Sequence, residues 1–273
     1  MKDVVVTGPF DDLRSRDVRF LEEAAKLGPV QAGLWTDGLV LARKKTPPKF
    51  PFDERSYLLQ ALRYITQVFP VNGFPPAGDM GFGQTPGTGI WAVDEAGDLP
   101  ETKALCDARG LELRIIKSAG LEGFPALPPL EIEARPESKR VVVTGCYDWF
   151  HSGHVRFFEE AAAFGDLYVG VGSDSNLRRL KGDGHPLFSE AERAYMVQSV
   201  RHVRRAFIAT GQGWLDAEPE IATIKPHYYV VNEDGDRPEK RKFCQRARIG
   251  YIVLSRTPKP GLPGRDSTAL RGF

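Results

Sequence analysis

The chain repeats itself. Laid without a gap beneath Val141–Asp174, the stretch Val4–Asp37 is identical at 17 of 34 positions. V-V-V-T-G, V-R-F and E-E-A-A return in the same order and at the same spacing. Farther on, Glu54-Arg55-Ser56-Tyr57 answers Glu192-Arg193-Ala194-Tyr195, and Gly97-Asp98-Leu99-Pro100-Glu101 answers Gly235-Asp236-Arg237-Pro238-Glu239. Cys106 likewise answers Cys244. A repeat on this scale is a whole domain rather than a local motif, and 273 residues leave room for about two domains of ordinary size. The sequence therefore predicts two like domains, 1–122 and 140–273, joined by an extended linker rich in Pro and charge over 123–139.

Each copy opens on a β-branched run, Val4–Thr7 or Val141–Thr144, the pattern of a strand buried on both faces in a parallel sheet. Each then reads as strand, helix, strand, loop, helix, strand, helix, strand. In the second copy Asp166–Gly172, Tyr228–Val231 and Tyr251–Leu254 are further strands, and Ser189–Val203 is an amphipathic helix capped by Ser189. Strands alternating with helices pair in parallel through right-handed crossovers, so the predicted class is α/β, with two tandem Rossmann-like domains. The glycine-rich stretch Asn72–Gly89 of the first copy has no G-K-[ST] ending and reads as a surface loop.

Composition excludes several classes of function. A net charge of +1 gives no reason to expect a nucleic-acid partner. No apolar run reaches the roughly 18 residues needed to span a bilayer, and Met1-Lys2-Asp3 leads into a strand rather than a signal core. The three cysteines are scattered and odd in number, which points to a reducing cytoplasm rather than a disulfide framework.

The chemistry concentrates at His151-Ser152-Gly153-His154, between the strand Val141–Thr144 and an apolar helical stripe formed by Val155, Phe158, Ala161 and Ala162. Two imidazoles three residues apart at a helix start face the same side, and Gly153 lets a bulky anion approach the backbone. The free N–H groups and the dipole of the first turn favour negative charge there. Zinc ligation of the H-E-x-x-H kind needs a Glu and an i,i+4 spacing that are absent; buried structural histidines are the remaining alternative. The first copy has Arg14, Arg16 and Asp17 at the places of His151, Gly153 and His154. Asp17 repels a phosphate and Arg16 fills the space glycine leaves, so that copy keeps the fold signals and lacks the anion site.

The stretch from Gly145 through Cys146, Tyr147 and Asp148 to His154 resembles the HxGH signature of the nucleotidyltransferase superfamily. Within it, the likeness is to cytidylyltransferases that use phosphocholine, phosphoethanolamine or glycerol phosphate. By that resemblance His151 and His154 are catalytic, Lys181 of R-R-L-K-G binds the triphosphate, and Gly145, Cys146, Tyr147, Gly153 and Asp174 surround the nucleotide. S-R-T-P-K-P-G-L-P-G-R-D-S-T resembles the family's second signature. It implies that Arg256 holds the β- and γ-phosphates with Thr257 beside it, and that Ser267 and Thr268 donate to phosphate oxygens at a second helix start. Asp266 departs from the serine of many relatives; on its own it is a helix cap.

Arg193 resembles the family's helix arginine facing the nucleotide. Arg55 holds the same place in the copy without histidines, which speaks equally for a structural ion pair. Asn232, Glu233 and Asp234 follow a strand where relatives hold the nucleoside; they read either as ribose and base contacts or as an acidic surface turn. Trp214 is either an acceptor-pocket wall or a core residue, and Arg179 and His185 read as surface. The expected reaction joins a nucleoside monophosphate from an NTP, with Mg²⁺, to a small phosphorylated acceptor and releases pyrophosphate. No residue is singled out as a metal ligand.

CTP with a phosphoalcohol is favoured. R-L-K-G and T-G-C-Y-D are also similar to heptose-phosphate adenylyltransferases, which keeps ATP with a sugar phosphate as the rival; a non-catalytic nucleotide-binding scaffold is the rival outside the class. Single-domain relatives pair about a two-fold axis, so the tandem copies are expected to form an intramolecular pseudo-dimer.

Overall fold

The computed structural model describes residues 2–73, 89–132, 137–267 and 270. The chain divides into two compact units, Met1–Gly123 and Phe124–Phe273. The first runs β1 (Val4–Gly8), α1 (Ser15–Ala25), β2 (Val30–Trp35), α2 (Asp37–Lys44) and α3 (Phe52–Ala61). It continues with β3 (Ile65–Val71), β4 (Ile90–Asp94), α4 (Pro100–Arg109) and β5 (Glu112–Ile116). The second runs β6 (Arg140–Gly145), α5 (Ser152–Ala162), β7 (Asp166–Gly172), α6 (Asp174–Lys181) and α7 (Glu190–Gln198). It ends with β8 (Val203–Ala209), α8 (Glu218–Ile224), β9 (Tyr228–Asn232), α9 (Pro238–Ala247) and β10 (Gly250–Leu254).

Each unit is a five-stranded sheet, ordered β3-β2-β1-β4-β5 in one and β8-β7-β6-β9-β10 in the other. All pairs are parallel, and the architecture is the α/β, Rossmann-like one expected. The register repeats as well. Val4 opposes Val30 and Ile90, as Val141 opposes Leu167 and Tyr228. The β2–β3 ladder shifts between Val30 and Gln31, and the β7–β8 ladder shifts at the corresponding Leu167 and Tyr168. Gly28 and Gly165 recur for a steric reason: a Cβ would sit 2.1 Å from the carbonyl oxygen of Lys2 or Lys139.

The β-branched runs form the central strands, where Val141, Val142 and Val143 are fully buried with helices on both faces. The repeat carries one strand more than the sequence suggests. The helix expected over Ser189–Val203 ends at Gln198; Ser199 bonds back to the Tyr195 carbonyl, and Val203 opens β8. Because β8 is an edge strand, Arg204 and Arg205 reach solvent and break its apolar pattern. Its counterpart β3 tolerates Pro70 for the same reason. The expected loop after β7 is instead the short polar helix α6, and Lys181 is its last residue.

Of the linker, Leu130 and Ile132 pack against the core of the second unit, and Phe124 stacks on Tyr195 at 5.5 Å. Residues 133–136, residues 74–88 of the expected surface loop, and Thr268 lie outside the described residues. No helix among the described residues is long and apolar enough to cross a membrane, and the three cysteines are free thiols.

Candidate active site

The turn after the first strand of each unit is strained in the same two places. Phe10 and Asp12 in one unit, and Tyr147 and Trp149 in the other, have φ of +41°, +57°, +53° and +70°. Left-handed backbone at a non-glycine residue costs about 1–3 kcal/mol, and persists only where the surroundings over-determine it. Here two clamps do so. Asp148 accepts from the backbone N–H groups of Leu187 and Phe188 at 2.9–3.1 Å. Arg193, only 1% exposed, donates to the carbonyls of Phe188, Cys146 and Gly172 and to the Asp174 carboxylate, all at 2.6–2.9 Å. In the first unit Asp11 accepts from Lys49 and Phe50, and Arg55 donates to Phe50, Pro9 and Asp37.

Arg193 and Asp174, expected at the nucleotide, are therefore committed elsewhere. They hold the turn that presents the histidines, and neither lines the cavity described below. The fully buried Arg55 and its partner Asp37 do the same work where there are no histidines to present.

On this scaffold the histidines cap α5. His151 is the N-cap, with extended backbone, and its Nδ1 accepts the Gly153 N–H at 3.1 Å. His154 Nδ1 accepts the His151 N–H at 3.4 Å. The hydrogen-bond pattern assigns the proton of each neutral ring to Nε2. The rings stack with centroids 4.0 Å apart, and His151 Nε2 lies 3.2 Å from Ser267 Oγ. Burial, with the Arg256 guanidinium as a secondary cause, pushes the His151 pKa down to about 4. Burial and the neighbouring His151 push that of His154 well below the ordinary range. Both are thus neutral N–H donors at physiological pH. Gly153 is required here because a Cβ would lie 2.9 Å from His151 Cε1.

In the first unit Asp17 accepts the Arg14 N–H at 2.8 Å, the capping bond that His154 makes in the second. A carboxylate and an imidazole serve the helix equally, but only the imidazole keeps a second nitrogen for a ligand. Arg14 pairs with Asp12 at 2.8 Å and Arg16 donates to Ser118. The corresponding cavity, about 940 Å³, is walled by apolar and aromatic side chains including Phe20, Trp35 and Trp91.

The second unit's cavity, about 390 Å³, lies at the carboxyl ends of β6 and β9, where strand order reverses. Gly145, Cys146, Tyr147, His151, Gly153, His154, Lys181, Asn232, Asp234, Arg256 and Ser267 all line it, as expected positions brought together. Arg256 is aimed by Asp234 at 2.9 Å and by the Arg265 carbonyl at 3.0 Å, with Asp266 at 3.5 Å. Thr257 borders an adjoining hollow with Gly153 and Arg256. Glu233 is directed to the Arg256 backbone N–H at 3.3 Å and does not line the cavity.

Three charged lining residues escaped sequence reasoning, Asp216, Arg237 and Lys240, with Asn176 holding Asp216 from behind; His185, expected at the surface, also lines the cavity. Trp214 is exposed along the cavity rather than buried in the core. A signal for Lys240 existed, because Phe243 and Cys244 follow it at i+3 and i+4, which places it on the buried stripe of α9.

The histidine cap of α5, Arg256 and the switch-point cavity thus come together at the carboxyl ends of β6 and β9. The family model for cytidylyltransferase-like domains matches residues 142–254, which supports the nucleotidyltransferase superfamily for that segment. The chain is similar to bifunctional protein HldE of Pelobacter propionicus, 39% identical over 108 residues, covering 38% of this chain and 21% of that protein. To HldE of Syntrophotalea carbinolica it is 44% identical over 106 residues, again 38% of this chain and 21% of the relative. The chain thus spans about a fifth of the length of these relatives. Among solved structures, the lipopolysaccharide core biosynthesis protein from Thermoplasma volcanium aligns at 22% identity and a TM-score of 0.38, over 43% of this chain and 97% of that one.

Proposed function

We propose that the second unit transfers a nucleotidyl group from an NTP to the phosphate of a small acceptor, releasing pyrophosphate. The observation that carries this reading is the pair of neutral Nε2–H donors of His151 and His154, turned into a cavity that Lys181, Arg256 and Ser267 also line. An ionised oxygen of the acceptor phosphate attacks the α-phosphorus. The bond from that phosphorus to the oxygen bridging it to the β-phosphorus breaks, and its electron pair leaves with pyrophosphate. Charge grows on the α-phosphate oxygens, where preorganised N–H donors stabilise the transition state more than the ground state. Lys181 and Arg256 offset the charge of the departing phosphates. No protein nucleophile is needed, and burial keeps the Cys146 thiol protonated by raising its pKa.

Mg²⁺ is proposed to enter with the NTP. Among the described residues no group of three His, Cys, Asp or Glu could hold a metal ion. Asp148 is committed to backbone N–H groups, and Asp234 and Asp266 to Arg256. The residues therefore do not fit a resident ion, and the chain's own part in the transfer rests with its donors.

For the acceptor we favour a sugar phosphate, on the likeness of R-L-K-G and T-G-C-Y-D to heptose-phosphate adenylyltransferases. Neither relative described above is named for CTP or phosphoethanolamine, the pair first favoured from the sequence. The test is pyrophosphate release from each of the four NTPs against a panel of sugar phosphates and phosphoalcohols. Turnover with one NTP and one acceptor class is the expected result. Failure of every pair would overturn the reading and leave the nucleotide-binding scaffold.

A further inference from the structure

The cavity of the second unit is lined by two sets of residues. His151, His154, Lys181, Arg256 and Ser267 form one. The other is built by the first turn of α9 and by the segment after β8, and no role has yet been given to it.

Lys240 is its most costly member. The residue is 7% exposed, and its ammonium lies in the first turn of α9, where the helix dipole opposes positive charge. Nζ bonds Thr144 Oγ1 at 3.4 Å and lies 5.5 Å from the Tyr229 ring centroid. Among the described residues it has no ion-pair partner; Asp216 acts on it from farther away, and burial lowers its pKa. An ammonium this deep, with donors left over and a cavity before it, is poorly explained by stability alone. It is well placed to meet an anion.

The groups around it describe the rest of the ligand. Asp216 is buried, and Asn176 Nδ2 holds it at 3.1 Å. Asn176 also accepts the Gly213 N–H and donates to the Gly213 carbonyl, fixing the approach to Trp214. Trp214 is 45% exposed along the cavity wall, with the Arg237 guanidinium 5.0 Å from its ring. A carboxylate and a flat aromatic face lining one cavity suit hydroxyl groups and the C–H face of a ring. It offers little to a short charged amine, which would meet Lys240 and Arg237.

We propose that Lys240 sets acceptor specificity: its ammonium holds the acceptor phosphate in the cavity that the histidines also line, while Asp216 and Trp214 receive a hydroxylated ring, so the site takes a sugar phosphate over a phosphoalcohol. The inference rests on the nucleotidyl-transfer reading, and a binding measurement separates the two.

The full chain is compared with Lys240→Met, which keeps the stem and removes the charge, with Lys240→Arg, and with Asp216→Asn. Glucose 1-phosphate and phosphoethanolamine serve as probes. Lys240→Met should raise the KM for glucose 1-phosphate about 10- to 100-fold, the scale of one lost charged hydrogen bond, with KM for the NTP within about twofold. Lys240→Arg should recover part of that loss. Asp216→Asn should narrow the preference for glucose 1-phosphate over phosphoethanolamine. An unchanged acceptor KM in Lys240→Met would overturn the proposal, as would an equal rise in the KM of the NTP, or a wild-type preference for phosphoethanolamine. Should the wild type turn over no pair, thermal shifts with glucose 1-phosphate alone still decide: a shift lost in a folded Lys240→Met supports the subsite, and equal shifts or none in the wild type refute it.

Discussion

The rings of His151 and His154 lie 4.0 Å apart, each with Nδ1 engaged by a backbone N–H and Nε2 left to carry the proton. Protonating one would place a cation against its neighbour and beside Arg256, so burial and charge together keep both neutral. The unfolded chain, with an ordinary histidine value near 6.5, binds protons that the native His151 refuses until about pH 4. Stability from this group is therefore complete above about pH 6.5 and falls as pH drops toward 4. His151 alone accounts for ~3 kcal/mol of that fall. Thermal melts at stepped pH should show the decline in the wild type and a shallower one in His151→Ala. Turnover, by contrast, should show no histidine titration near 6.5; a gain in rate on acidification through that value would mean the charged form is the active one.

His154 has two duties that substitution can separate. His154→Ala loses both the capping bond and the Nε2 donor, and should cost about 1 kcal/mol of stability and roughly 10²–10³-fold in kcat. His154→Asp copies Asp17 of the first unit, so it should recover most of the stability and none of the activity. Denaturant titration and steady-state rates on the same preparations check both parts. Activity in the Asp variant would remove His154 from the chemistry.

Lys181 is exposed at the end of α6, and Arg256 is held at the cavity rim by Asp234. Alanine at either position should weaken NTP binding and leave the melting temperature within about 2 °C, since exposed ion pairs contribute little to stability. Fluorescence or calorimetric titration with the NTP reads the first effect. Unchanged affinity in both variants would leave the triphosphate without its cations.

Arg55 and Arg193 should prove equally structural despite their unequal neighbourhoods. Replacing either by Met strips the donor from its carbonyl and carboxylate acceptors, three for Arg55 and four for Arg193, beneath a turn with two left-handed residues. A loss of about 3–5 kcal/mol is expected for each, the scale of a broken buried ion pair. Urea unfolding of the two variants is the measurement. A stable Arg193→Met that had lost only nucleotide affinity would restore the role the sequence suggested.

The central strands, the repeat and the histidine turn were legible because local rules agree there. Val141–Val143 are apolar on both faces only if a sheet buries both, and Gly153 follows its histidine only where a Cβ would collide. The short helix α6 and the edge strand β8 were hard to read because polar residues interrupt their patterns, and packing rather than propensity holds them.

From the sequence alone come the duplicated α/β plan, the copy that carries the histidines, and the class of anion they would meet. The first follows from matching two stretches 137 residues apart, and the others from spacing, steric demand, charge and motif resemblance within some twenty neighbouring residues. Tertiary structure decided what no such window contains. Arg193 reads either as a residue facing the nucleotide or as a structural ion pair until Cys146, Gly172 and Asp174 claim its donors from as many as 47 residues away. Lys240, in the highly charged run P-E-K-R-K, is given no role by the sequence, and α9 turns it toward Thr144 and Tyr229. A charged side chain's role is set by who else reaches it and by how much water remains, and both are properties of the folded surroundings rather than of the residue.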